Sequence, residues 1–254
     1  MNALTIFRKE LISYFRSPIA YGVMAFFALV TGYFFYVAVA FFVQMSIQSS
    51  MMGGSQPMSV NDSVVQPVLS NISVIGLFMI PMMTMRLFAE EKRTGTIELL
   101  VTSPIADWEI IVGKWLAALV LYASMLGLSL ISMTTLFLYG SPDWRPMLVG
   151  YLGLLLQGGS LLAIGTFVST CTRNQIVAGV AGFSVSLLLW VLNWLSSFQD
   201  SAAAKVIAYM SVLQHFESFA RGVLDSKDIL YYFSAIFIGL FLTGRSLESL
   251  RWRA

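Results

Sequence analysis

Charge is scarce in this chain. Only 11% of its 254 residues are charged, with 15 Lys and Arg against 13 Asp and Glu, while 57% are hydrophobic. A soluble domain carries about a quarter of its residues charged, so a globule of this size would lack the side chains to cover its surface. A net charge of +2 leaves no basic excess to neutralise phosphates, which excludes nucleic acid as a partner. One cysteine, Cys171, excludes an internal disulfide, and one histidine, His215, excludes a multi-histidine metal cluster, so no metal site is expected. Catalytic motifs are missing as well: there is neither Gly-x-Ser-x-Gly nor His-Glu-x-x-His. Gly113-Lys114 is followed by Trp115 and lacks the upstream glycine of a phosphate-binding loop, so any ATP that drives the protein is bound by another chain.

Long apolar runs are what the chain does have. About 20 apolar residues in a helix cross a hydrocarbon core of about 30 Å. Six stretches meet or approach that length: 19–43, 68–85, 115–138, 147–170, 176–196 and 229–244. The last is short and is expected to tilt little or to lean on snorkelling ends. The expected fold is all-α, a single polytopic membrane domain over residues 1–254. Orientation follows from lysine and arginine. With the N-terminus inside, eleven fall in the inner segments, and only Arg145, Lys205, Arg221 and Lys227 fall outside. Both termini are therefore expected on the cytoplasmic side.

The beginning reads as retained, since residues including Glu10 precede a first run long enough to stay in the bilayer. Between residues 4 and 16, Leu4, Phe7, Leu11, Tyr14 and Phe15 share a helical face, with Lys9, Ser13 and Arg16 opposite and Ile6 out of pattern. This predicts an interfacial helix on the cytoplasmic leaflet, with Phe7, Arg8, Lys9, Leu11, Phe15 and Arg16 as its working residues, turned inward at Pro18.

The five longer runs hold no Asp, Glu, Lys, Arg or His. Ion-coupled carriers keep such a group at mid-membrane, so that class is disfavoured. Mild polar groups such as Ser129, Gln157 and Ser160 are read as links between helices or back to their own carbonyls, and no substrate pathway is assigned. Small residues repeat at four-residue spacing from Gly159 to Ala163 and through Ala178, Gly182 and Ser186, a pattern that lets helix backbones approach. Within 197–227, Tyr209, Leu213, Phe216, Ala220 and Val223 recur at helical spacing, which predicts a re-entrant outer helix before the last span, and His215 is read as a packed or surface residue.

One connection is unlike the rest. Between the second and third runs stand Arg86, Glu90, Glu91, Lys92 and Arg93, too charged for lipid. Gly95 breaks the emerging helix, a short new one starts near Thr96, Glu98 favours its first turn, Ile97, Leu99 and Leu100 give it an apolar side, and Ser103-Pro104 stops it. Asp107 is expected to cap the following helix. A short surface helix of this kind suits docking into another protein's groove.

The pattern Glu91-x-x-x-Gly95-Thr96-x-Glu98-x-Leu100-x-x-x-Pro104, followed by Gly113-Lys114, resembles the signature of ABC-2 type transporter permeases. Leu213-Gln214-His215-Phe216 and Phe219-Ala220-Arg221-Gly222 before the last run also resemble that family, and within it the chain looks most like permeases of gliding-motility type. The resemblance implies a non-enzymatic membrane subunit in a bacterial inner membrane that pairs with a second permease, identical or homologous. It implies two ABC ATPase subunits that hold ATP and magnesium, and an auxiliary periplasmic subunit where one is used. Glu91, Gly95, Thr96, Ile97, Glu98, Leu99, Leu100 and Pro104 then form a coupling helix that enters the ATPase. The expected function is outward movement of a lipid-like or amphiphilic substrate. The alternative is a scaffold that transmits force or signal from the same ATPase without moving solute.

Overall fold

The computed structural model describes residues 2–51, 59–97, 105–140, 142–196 and 209–251. Among them every regular element is helical. Helix α1 (Asn2–Arg16) is followed at once by α2 (Pro18–Met51); a π-helical turn (Asn61–Val65) leads into α3 (Gln66–Thr84), and α4 (Ala89–Thr94) is short. Four long or medium helices follow, α5 (Asp107–Tyr139), α6 (Trp144–Thr170), α7 (Gln175–Ser196) and α9 (Ser226–Arg251), with the short α8 (Val212–Ala220) between the last two. Among the described residues, six helical stretches are long and apolar enough to cross a membrane.

These helices overrun the apolar runs that announce them. α2 continues past Val43 through Gln44 and Gln48 to Met51, and α5 begins at Asp107 instead of near Trp115. The hydrocarbon core selects apolar residues only across its own thickness, whereas backbone hydrogen bonding carries a helix on into the polar zone. Asp107 does not cap α5: Ala106 does, and Asp107 and Glu109 lie in the first turn, where the positive end of the helix dipole favours them.

Helix α6 is the hub, packing on α9 most extensively and also on α3, α5, α7 and α8. Its glycines make that possible. A methyl group on Gly150 would lie 2.3 Å from Leu69 of α3, on Gly153 2.4 Å from Phe219 of α8, on Gly158 2.1 Å from Tyr122 of α5, and on Gly165 2.4 Å from Thr84 of α3. From the other side, a methyl on Gly239 of α9 would meet the Ala163 backbone at 2.8 Å. In lipid, where close packing and not water exclusion holds helices together, such approach is the main attraction. Ala163, in the small-residue repeat, is thus a contact point; Gly182 is looser, with only Pro81 near it.

The mild polar groups serve the same packing. Ser73 Oγ donates to Gln157 Oε1 at 2.8 Å, Ser129 and Tyr151 hydroxyls lie 2.9 Å apart, and Trp115 Nε1 donates to the Gly159 carbonyl. Thr31, Ser124 and Ser160 bond back to their own helices. Helix α2 is the outlier. It buries only Ala20, Phe27 and Thr31, and it exposes Tyr21, Phe26, Leu29, Tyr33 and Tyr36. Cys171, exposed, closes the far end of α6.

Candidate functional site

The charged connection after α3 is built into the bundle by one lysine. Lys114 lies two turns into α5, and the preceding Gly113 leaves room for α1 to lie against it. A methyl on Gly113 would sit 2.9 Å from the Ala3 carbonyl oxygen and 3.1 Å from Ile6. That contact explains a departure from the expected pattern on α1. Ile6 is its most buried side chain and Leu4 is exposed, because the helix face is chosen by the groove on α5. Phe7, Leu11 and Phe15 are half-buried, and Arg8, Lys9 and Arg16 stay exposed.

With α1 in place, Lys114 is 2% exposed and must find acceptors for its three N–H groups. It donates to Glu10 Oε1 of α1 at 3.1 Å, to Glu91 Oε1 of α4 at 2.8 Å and to the Leu87 carbonyl at 2.9 Å. The Phe88 ring closes the remaining side, its centroid 5.2 Å from the ammonium nitrogen. Two carboxylates face one cation, and Glu91 Oε2 is buried without a hydrogen-bond partner among the described residues. Tyr14 shares this corner; burial, helped by Glu10, pushes its phenol well above the ordinary value, so it stays neutral.

A second set of bonds fixes α4 to the end of α6. The backbone N–H groups of Phe88 and Ala89 both donate to Ser169 Oγ at 3.1 Å, which satisfies two orphan donors at the start of α4. Lys92 Nζ donates to the Thr170 carbonyl. Arg86 and Glu90 pair across one turn at 3.3 Å. The helix then ends at Gly95, whose φ of 76° lies in the left-handed region that a side chain disfavours. Thr96 and Ile97 are helical again, with Ile97 half-buried against the core. Glu98, Leu99, Leu100 and Pro104, the remaining residues of the expected coupling helix, lie outside the described residues.

Of the expected contact residues, Glu91 stands apart from the others. Its carboxylate is turned inward onto Lys114 and is 16% exposed. The sequence places Lys114 at the start of the third apolar run and in the Gly113-Lys114 of the family pattern, and assigns it no partner. A signal was present: Ile110, Ile111 and Gly113 surround it with apolar character, and a lone cation in such a setting needs an anion.

The opposite end of α6 carries α8. Its buried side chains are Val212, His215, Phe216, Phe219 and Ala220, while Tyr209 and Val223 are exposed. Of the expected face Phe216 and Ala220 are buried and Leu213 is half-buried, and the inward face widens to take in Val212, His215 and Phe219, which enters the gap at Gly153. His215 is buried: Nδ1 lies 2.7 Å from Asp228 Oδ1 and Nε2 lies 2.9 Å from the Tyr209 carbonyl. The Tyr231 ring stacks on it at 3.9 Å. Glu217 and Arg221 form an exposed pair at 3.8 Å.

Comparison with known proteins covers most of the chain. The family model described as "ABC-2 family transporter protein" matches residues 4–239. The chain is 22% identical over 174 residues to the "probable multidrug ABC transporter permease YbhR" of Escherichia coli (strain K12), covering 66% of this chain and 46% of that one. It is 29% identical over 163 residues to the "inner membrane transport permease YhhJ" of Escherichia coli (strain K12), covering 63% of this chain and 42% of that one. The match thus spans less than half of either relative.

Proposed function

The chain belongs to the ABC-2 family of transporter proteins, and we propose from that premise that it is the membrane-spanning subunit of an ATP-driven exporter. In this reading a separate ATPase, present in two copies and holding ATP and magnesium, grips the segment from Gly95 to Pro104. A second permease copy completes the pathway, and the cargo is lipid-like or amphiphilic. The α1 end faces the cytoplasm, in keeping with the lysine and arginine bias.

The observation that carries the reading is the brace at Lys114. A segment pushed by a motor moves nothing unless it is tied to the helices that must respond. Here the ties exist. Immediately before Gly95, α4 is fastened to α5 and α1 through Lys114 and to α6 through Ser169 and Thr170. A displacement at Thr96–Ile97 is passed to α1, α5 and α6 together, which favours a rigid-body response over local bending. Glu91 acts as a positioning residue, and Glu98, Leu99 and Leu100 supply the contact.

Co-purification tests this. The double substitution Glu98→Arg, Leu100→Asp is expected to release the ATPase while the permease still elutes as a folded particle. Retention of the ATPase with undiminished stimulation of its hydrolysis would remove the proposal.

A further inference from the structure

Phe27 and Thr31 of α2 are buried, and along the seam between α2 and α3 a gap lies on either side of them. Toward the α8 end the gap is a cavity of about 400 Å³ between Phe34, Val37 and Phe41 of α2 and Pro67 and Asn71 of α3, with Asp62 at its edge. Toward the α1 end it is a cavity of about 290 Å³. Its walls are Ile19 and Val23 of α2, Met82 and Met83 of α3 and Leu121 of α5, and its rim holds Arg86, Glu90 and Arg93.

The two cavities differ in the sign of their polar edge. Glu90 takes one side of Arg86, 3.3 Å away, whereas Arg93 is exposed to the surroundings and pairs with no acidic side chain among the described residues. The cavity by α1 therefore combines an apolar slot with an unspent guanidinium at the level where α1 turns into α2. A guanidinium presents a planar fork of donors that matches phosphate oxygens. A slot of this volume receives a headgroup and the first carbons of a chain, with the rest of the chain left in the surrounding lipid. The other cavity carries a carboxylate and repels the same headgroup.

We propose that the cavity by α1 binds a lipid with an anionic phosphate headgroup, drawn from the leaflet on that side, with Arg93 and Arg86 on the phosphate and Ile19, Val23 and Met82 along the first part of the chain. The site needs only that the helices span a bilayer; it does not depend on the coupling assignment, and binding occurs in the permease without any ATPase.

Photo-crosslinking tests it. The full chain is placed in phosphatidylcholine nanodiscs with a phosphatidylglycerol that carries a diazirine near the top of one chain, irradiated, cleaved and read by mass spectrometry. Label is expected on the peptides that contain Ile19–Val23 and Met82–Met83. Arg93→Gln is expected to lower it roughly fivefold, on the order of what one cation contributes to holding an anionic headgroup, with unchanged elution. Val23→Trp, which fills the slot without altering charge, is expected to lower it too. A diazirine phosphatidylcholine is expected to give weak label on the unsubstituted chain, and inorganic phosphate in excess is expected not to compete. Equal labelling by the two lipids, full labelling of Arg93→Gln, or abolition of the label by inorganic phosphate, which marks a site for the free anion, would each overturn the proposal.

Discussion

The molecule buries ionisable groups at both ends of α6, and the two arrangements differ in reach. At the α8 end, His215 and Asp228 are 13 residues apart and fasten one fold-back to the start of the next helix. At the α1 end, Lys114 reaches Glu10, 104 residues away, and Glu91, 23 residues away. The first joins neighbours in the chain; the second ties together α1, α4 and α5, which are far apart in sequence. A local clasp holds a loop in shape. A long-range knot makes separate helices move as one body, and it stands at the end where the charged connection leaves the bundle.

The difference is broken most severely at the knot. Lys114→Met leaves two partly buried carboxylates without their cation, and a loss of about 3 kcal/mol is expected, seen as a lower midpoint of thermal unfolding by tryptophan fluorescence. Changing Glu10 and Glu91 to Leu in the same chain is expected to restore most of it, since an apolar replacement of the whole group leaves no stranded charge. An unchanged midpoint in the single variant would show that the knot is not buried as described. A smaller and more local effect is expected from His215→Ala, about 2 kcal/mol for leaving Asp228 without its partner. Hydrogen exchange should rise over 209–228 and stay unchanged over 86–97; a rise at both ends would erase the contrast. The smallest effect belongs to Gly95→Ala, which places a side chain in the left-handed region at about 1 kcal/mol. There the loss should fall on stimulation of ATP hydrolysis more than on the melting midpoint.

Much of the architecture could be read from the residues alone. Long apolar runs, few charges and the break at Gly95 gave an all-helical, multi-spanning chain with one charged connection, and the ABC-2 resemblance rested on that connection. What escaped was decided by contact between distant parts. Ile6 looked out of place on α1 until Gly113 is seen to receive it, and the inward face of α8 is set by the gap at Gly153. The apolar stretch around Lys114 calls for an anion, but nothing adjacent to it in the chain says that Glu10 will supply one. Helical spacing describes one element's own faces; it carries no information on which face a neighbour will claim.

Cys171 turns the joint at the end of α6 into a measurable one. It is the chain's sole cysteine, it is exposed, and it follows Thr170, whose carbonyl receives Lys92 of α4. A maleimide dye or nitroxide attached there needs no background mutations and sits beside the fastening between α4 and α6. Its emission or line shape, followed as nucleotide is added to the assembled complex, would report directly whether that fastening travels intact or comes undone during a turnover.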